Sequence, residues 1–177
     1  MQVRIGQGGF TLLELFVVMA IVGILAAITA PGLEGAFESR RLQGIATELA
    51  QDIQFGRSEA ILRNRGVRLT VHAETGFTCY VVHTGSAGRC SCGSGGHAVC
   101  SADAEAIKTV RLPAGEKVRL QANVTSMLFD PLHGTTTPAA TLKLIGARGA
   151  EIHHVVNVLG RLRSCSPRGR VAGVRPC

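Results

Sequence analysis

Hydrophobic and polar positions fall into three regimes along the chain. From Phe10 to Ala30 the run FTLLELFVVMAIVGILAAITA holds a single ionisable group, Glu14. At about 1.5 Å of rise per residue this run makes about 30 Å of helix, the thickness of a bilayer core. Helices buried in soluble domains are seldom apolar on every face over such a length, so the pattern predicts a transmembrane helix over residues 10–30. A cleaved secretory signal would be shorter in its apolar part and would not hold a carboxylate there. An acid at membrane depth costs roughly 2.5–3.5 kcal/mol, so Glu14 needs a partner and a role.

In the second regime Leu42, Ile45, Leu49 and Ile53 recur at spacings of three and four. Arg40, Arg41, Glu48, Asp52, Arg57 and Glu59 lie between them. That spacing predicts an amphipathic helix to about Arg63, stopped by Asn64-Arg65-Gly66. Residues 31–64 then form a spine whose apolar stripe faces a core.

The third regime, residues 65–177, has a period of two. Strands are predicted at Val67–Val71, Phe77–His83, Lys108–Leu112, Val118–Val124, Thr141–Ile145, Ile152–Val158 and Arg161–Cys165, with Gly-, Pro- and Thr-rich turns between them. Alternation of this kind suggests an antiparallel sheet with one face on the spine helix, an α+β class. The segment 85–100 begins with the low-complexity stretch Gly85–Gly96 (GSAGRCSCGSGG) and reads as an exposed, Cys-rich loop.

Composition refines this picture at two points. With 46% hydrophobic and 18% charged residues in 177, the chain can bury a core and is not a disordered basic tail. Its mean hydropathy of +0.25 traces chiefly to the apolar run at 10–30.

The residues before and inside that run, Gly8-Gly9-Phe10-Thr11-Leu12-Leu13-Glu14, resemble the class III signal of type IV pilins and pseudopilins. The resemblance implies that a prepilin peptidase removes residues 1–9 by cutting after Gly9, and that the same processing machinery N-methylates Phe10. Glu14 becomes the fifth residue of the mature chain and neutralises the new amine of a neighbouring subunit, which turns a costly charge into an assembly register. Pro31 sits where such helices commonly carry a proline. Arg4 precedes the span while Arg40 and Arg41 follow it, so charge alone leaves the orientation nearly tied. The peptidase motif implies an N-terminus in the cytoplasm and a C-terminal domain in the periplasm, held in the inner membrane until assembly into a filament.

Two further stretches narrow the resemblance. Leu49–Asn64 (LAQDIQFGRSEAILRN), and Phe129–Thr135 (FDPLHGT) with Val155-Val156-Asn157 and Gly160-Arg161-Leu162-Arg163, are similar to the FimT/GspH group. That group comprises minor pilins of type IV pili and H-type minor pseudopilins of type II secretion. It implies a type IV pilin-like fold and other pilin or pseudopilin subunits as partners.

Six cysteines, Cys79, Cys90, Cys92, Cys100, Cys165 and Cys177, would lie in an oxidising compartment, which favours disulfides without fixing their pairing. Pairing by proximity would join Cys165 to Cys177 and leave four to staple the Gly-rich segment, with Cys90 and Cys92 each pairing outward. Zinc held by Cys90, Cys92 and Cys100 with Cys79, His83 or His97 is a poor match, because structural zinc sites use wider Cys spacing than C-x-C. No metal and no cofactor is expected.

Charge is concentrated at the C-terminus. The net +7 includes 16 Arg and 3 Lys, and after the last acid, Glu151, come Arg161, Arg163, Arg168, Arg170 and Arg175. Arg161 and Arg163 alternate around Leu162, so on a strand they project from one face about 7 Å apart, near the phosphate spacing of one DNA strand. Arg168 and Arg170 repeat the spacing around Gly169. Guanidinium groups also bind phosphate oxygens bidentately. The Gly-Arg-Leu-Arg segment resembles the GRxR pattern of DNA-binding FimT-type minor pilins, which implies double-stranded DNA as a partner. Phe37, Phe55, Phe77, Tyr80 and Phe129 are mostly placed for a core, so backbone contact with little sequence preference is expected. No G-x-S-x-G, H-E-x-x-H or phosphate-binding Gly loop occurs, and His153-His154, adjacent on a strand, face opposite sides. The expectation is a filament subunit and not an enzyme: a minor pilin that captures DNA for natural transformation, or an H-type minor pseudopilin that primes a filament for protein export.

Overall fold

The computed structural model describes residues 11–93, 95–101, 103–169 and 171–177, with residues 29–33 described by their backbone alone. One helix, α1, spans Leu12–Leu62. The chain divides into two compact units, Met1–Phe37 and Glu38–Cys177.

In the first unit α1 begins at a cap. Thr11 Oγ1 accepts the Glu14 backbone N–H at 3.3 Å, the N-cap half of a capping box, so Glu14 also stabilises the helix start through its acidic position in the first turn. Every side chain from 11 to 28 is exposed. Among the described residues no helix is long and apolar enough to cross a membrane. Of the expected span 10–30, Phe10 and the side chains of 29 and 30 lie outside the described residues. Gly9 and the side chain of Pro31 also lie outside them.

In the second unit Leu42, Ala46, Leu49, Ile53 and Ala60 form the buried stripe of α1, with Ile45 partly buried beside it. Gly56 continues the stripe, and a Cβ there would meet the Phe129 ring at 3.0 Å. Asn64, at a φ of 48°, ends the helix.

Among the described residues eleven strands follow: β1 Val67–Glu74, β2 Phe77–Thr84, β3 Cys90–Cys92, β4 Ala98–Cys100, β5 Ala106–Pro113, β6 Arg119–Ala122, β7 Ser126–Phe129, β8 Thr136–Thr137, β9 Ala140–Ile145, β10 Glu151–Val156 and β11 Leu162–Cys165. They form a five-stranded sheet in the order β5-β2-β1-β7-β8, a four-stranded sheet in the order β11-β10-β9-β6 and the β3-β4 hairpin, all antiparallel. The single sheet expected from sequence is therefore divided. The buried residues of α1 share one core with Val67, Leu69, Tyr80 and Val82 of the larger sheet and Leu120, Leu142, Leu144, Ile152 and Val156 of the smaller.

A polar network ties the helix to the larger sheet. Buried Asp52 accepts the Tyr80 hydroxyl at 2.6 Å and the Lys108 ammonium at 2.7 Å, and Lys108 also reaches Glu48 at 3.2 Å. Burial, with the Asp52 carboxylate next to it, holds the Tyr80 phenol well above its ordinary pKa.

Two expectations fail here. The Cys-rich segment is not a free loop: it folds as β3-β4, Cys90 is fully buried, and the Cys79–Cys92 and Cys90–Cys100 disulfides fasten it. His72 Nε2 meets the Cys90 carbonyl at 3.1 Å. β2 is therefore buried on both faces, with Tyr80 and Val82 in the main core and Cys79, Val81 and His83 on the other side. Of the aromatics assigned to the core, Tyr80 and Phe129 are buried, but Phe37 and Phe55 are exposed because they lie off the buried stripe of α1.

Candidate nucleic-acid interface

β11 is the edge strand of the smaller sheet, and its register places Arg163 opposite Val155 and Cys165 opposite His153. Leu162 and Val156 point to the core, so Arg163 points outward with exposed Val155. Arg161 lies one residue before the strand, and Val155, Asn157, Arg161 and Arg163 line one shallow depression of about 360 Å³.

On the other side of β11 the C-terminal segment curls back. Cys165 and Cys177 are joined, the Ser166 backbone N–H donates to the Arg175 carbonyl at 2.8 Å, and the Gln43 side-chain amide on α1 donates to the Ala172 carbonyl at 2.9 Å. Arg163, Arg175 and the Cys165–Cys177 bridge then line a groove of about 850 Å³. Arg168 is exposed within the closed loop. Arg170 lies outside the described residues. The structure thus brings Arg161, Arg163 and Arg175 to adjoining surfaces and puts Arg168 on the loop between β11 and Arg175.

Register adds two cations that the linear pattern did not single out. Lys143 pairs with His153, and Arg119 pairs with Ile145, which pairs with Glu151. Both project from the same outward face as Arg163, because cross-strand partners and i,i+2 neighbours share a face. Their isolated positions in sequence carry no signal, and the pairing of β9 with β6 and β10 alone brings them to this face. Glu151 brings a carboxylate to this face, and its Oε2 lies 3.2 Å from His153 Nε2.

Beneath the face, His154 fastens β10 and β11 to the helix. Its Nε2–H donates to the Ala46 carbonyl at 2.8 Å, which leaves Nδ1 to accept from the Ser164 hydroxyl at 2.8 Å. Burial pushes this imidazole below its ordinary pKa, against the opposing effect of the Ala46 carbonyl, so it serves as a neutral clamp. His153 and His154 do face opposite sides of the strand.

The turn that carries Arg161 is built from side chain to backbone. Asn157 Oδ1 accepts the N–H groups of Leu159 at 3.1 Å and Arg161 at 2.9 Å, and Gly160 takes a φ of 72° while donating to the Asn157 carbonyl. The neighbouring turn at 130–135 repeats the device. Asp130 Oδ1 accepts from the N–H groups of Leu132 and His133, and Gly134 takes a φ of 61°. The His133 N–H holds the Asp130 carboxyl below its ordinary pKa. Arg57 of α1 lies between the two turns: a Cβ would meet its Nε at 2.8 Å from Gly134 and 3.1 Å from Gly160. That Nε is buried without a hydrogen-bond partner among the described residues. Arg57 read in sequence as one more polar residue of the spine.

All six cysteines are used in the three disulfides, so the thiolates that zinc would need are not free.

A family model described as Type II transport protein GspH matches residues 46–160, and one described as Prokaryotic N-terminal methylation motif matches residues 4–30. No curated protein sequence matches the chain. Among solved structures, the type IV minor pilin FimU of Pseudomonas aeruginosa (strain PAO1) is similar with a TM-score of 0.51 and 16% identity, over 70% of this chain and 87% of that one. The minor pseudopilin EpsH of the Type 2 Secretion System of Vibrio cholerae gives a TM-score of 0.47 and 13% identity, over 72% and 98%. The likeness to FimU is one of fold: a helix packed on antiparallel sheets.

Proposed function

The chain belongs to the type II transport protein GspH family of pilin-like minor filament subunits, and from that premise we propose that it is a minor pilin of a type IV pilus whose Arg-rich C-terminal region binds double-stranded DNA for uptake. Its precursor sits in the inner membrane through residues 10–30 with the N-terminus in the cytoplasm. Prepilin peptidase cuts after Gly9, Phe10 is N-methylated, and Glu14 pairs with the amine of a neighbouring subunit. The match to the N-terminal methylation motif supports this processing. So does the exposure of every side chain from 11 to 28, since large apolar side chains left in water forgo roughly 1.5–3 kcal/mol each and need lipid or other subunits to cover them.

The observation that carries the DNA reading is the grouping of exposed Arg161, Arg163 and Arg175 around β11, on a surface to which Lys143 and Arg119 add. No Asp or Glu side chain follows Glu151 in the sequence. Duplex held by its phosphates is the partner this charge suits.

The test is duplex binding by the full chain in detergent micelles. Two unrelated duplexes of equal length should bind alike. Arg161→Gln with Arg163→Gln should abolish most of the affinity, while Arg40→Gln with Arg41→Gln should leave it. Equal loss in both double variants would overturn the assignment.

A second reading is favoured by the description of the matched family, a type II transport protein. Under it the chain is an H-type minor pseudopilin that primes a filament for protein export. The two readings differ in what they ask of the basic surface, which export priming does not need.

A further inference from the structure

The turn joining β10 to β11 carries its two central residues against the usual turn chemistry. Asn157-Val158-Leu159-Gly160 places a β-branched residue and a leucine where Asn, Asp, Gly or Pro are normally found. Both side chains stand in solvent, Val158 at 59% and Leu159 at 58% exposure. Neither shapes the turn, since the Asn157 carboxamide and the positive φ of Gly160 already do so. Leu132 on the adjoining turn is more exposed still.

The tip is also rigidly backed. The Thr136 N–H donates to the Val158 carbonyl at 2.9 Å, Gly160 packs on Gly134, and the Arg57 guanidinium fills the space between the two glycines. Two exposed apolar side chains on a turn fixed from three directions, with Arg161 two residues beyond Leu159 and Arg163 two beyond that, make an apolar point flanked by cations.

We propose that the Val158-Leu159 tip is a wedge that enters between base steps of duplex DNA held by Arg161 and Arg163. The inference rests on the DNA-binding reading above and adds a second kind of contact to it. Proteins that insert apolar side chains in this way unstack a step and kink the duplex by roughly 20–90°, and they do so most readily where stacking is already weak. The cations adjoining the tip select a polyanion over an apolar protein face, and the rigid backing removes the ordering cost of insertion.

The full chain in detergent micelles is titrated with an intact duplex and with the same duplex carrying a central two-base mismatch. End-to-end energy transfer reports the bend. Wild type should bind the mismatched duplex roughly tenfold more tightly, since part of the unstacking cost is already met, and should bend both. Leu159→Ala and Val158→Ser/Leu159→Ser should remove the preference and the bend while keeping the salt dependence and the thermal midpoint. Equal affinity for the two duplexes in wild type, a straight bound duplex, or unchanged behaviour in the tip variants would overturn the wedge. So would intact DNA behaviour coupled to altered self-association in the tip variants, which would make the tip a contact between copies. Unchanged binding in Arg161→Gln/Arg163→Gln would instead overturn the DNA reading itself, and a wild type that binds with a salt-dependent affinity but shows no tip effect would overturn the wedge alone.

Discussion

Gly160 packs against Gly134 so closely that a Cβ on Gly160 would stand 2.6 Å from the Gly134 carbonyl oxygen. A backbone oxygen cannot swing aside as a side chain can, and Gly160 also has a φ of 72°. Gly160→Ala should therefore destabilise the fold by roughly 1–3 kcal/mol. Gly134→Ala should cost less, because the nearest atom there is the Arg57 Nε, at the end of a flexible side chain. Urea denaturation of the two variants checks the order, and Arg57→Ala should relieve Gly134→Ala more than Gly160→Ala.

Cys165 and Cys177 close a loop with a sequence separation of 12, which in the chain-entropy picture stabilises by about 3 kcal/mol. Cys165→Ala/Cys177→Ala should lower stability by up to that amount. It should also weaken duplex binding, because Arg168 and Arg175 lie on the loop it releases. Peptide mapping without reduction should find Cys79–Cys92, Cys90–Cys100 and Cys165–Cys177. Any Cys90–Cys92 bridge would contradict the fold of the β3-β4 hairpin.

Two buried imidazoles set a pH dependence. His83 bonds Thr70 and the Thr84 carbonyl, His154 bonds Ser164 and the Ala46 carbonyl, and burial lowers the pKa of both from 6.5. The unfolded chain then takes up protons that the folded chain refuses, so stability is full above about pH 6.5 and falls as pH drops toward the depressed native values. The urea midpoint should be lower at pH 5 than at pH 7.5. His154→Gln should make the dependence shallower, and a midpoint constant across this window would contradict the burial assigned to both rings.

The elements with strong periodicity were legible in sequence, and those defined by a partner were not. The Leu42, Leu49 and Ile53 stripe reads as a core face because the 3.6-residue period belongs to the helix alone. β7 and β8 carry no periodic signal because they are short and no Gly or Pro separates β7 from the preceding segment. β3 and β4 were hidden by the glycines around them, and they exist because two disulfides and the outer face of β2 hold them. At the candidate site the alternation of Arg161 and Arg163 was visible, while Lys143 and Arg119 join that face only through β9 and β6. Arg57 is the sharpest case: its role depends on two turns that are distant from it in sequence.

Whether the C-terminal arginines hold phosphates is measured most directly by the salt dependence of duplex affinity for the full chain. If all five arginines engage, log K should fall with log salt at a slope of roughly 4–5, and Arg161→Gln/Arg163→Gln should reduce that slope by about 2. A flat salt response, or the same slope in the double variant as in wild type, would contradict the claim.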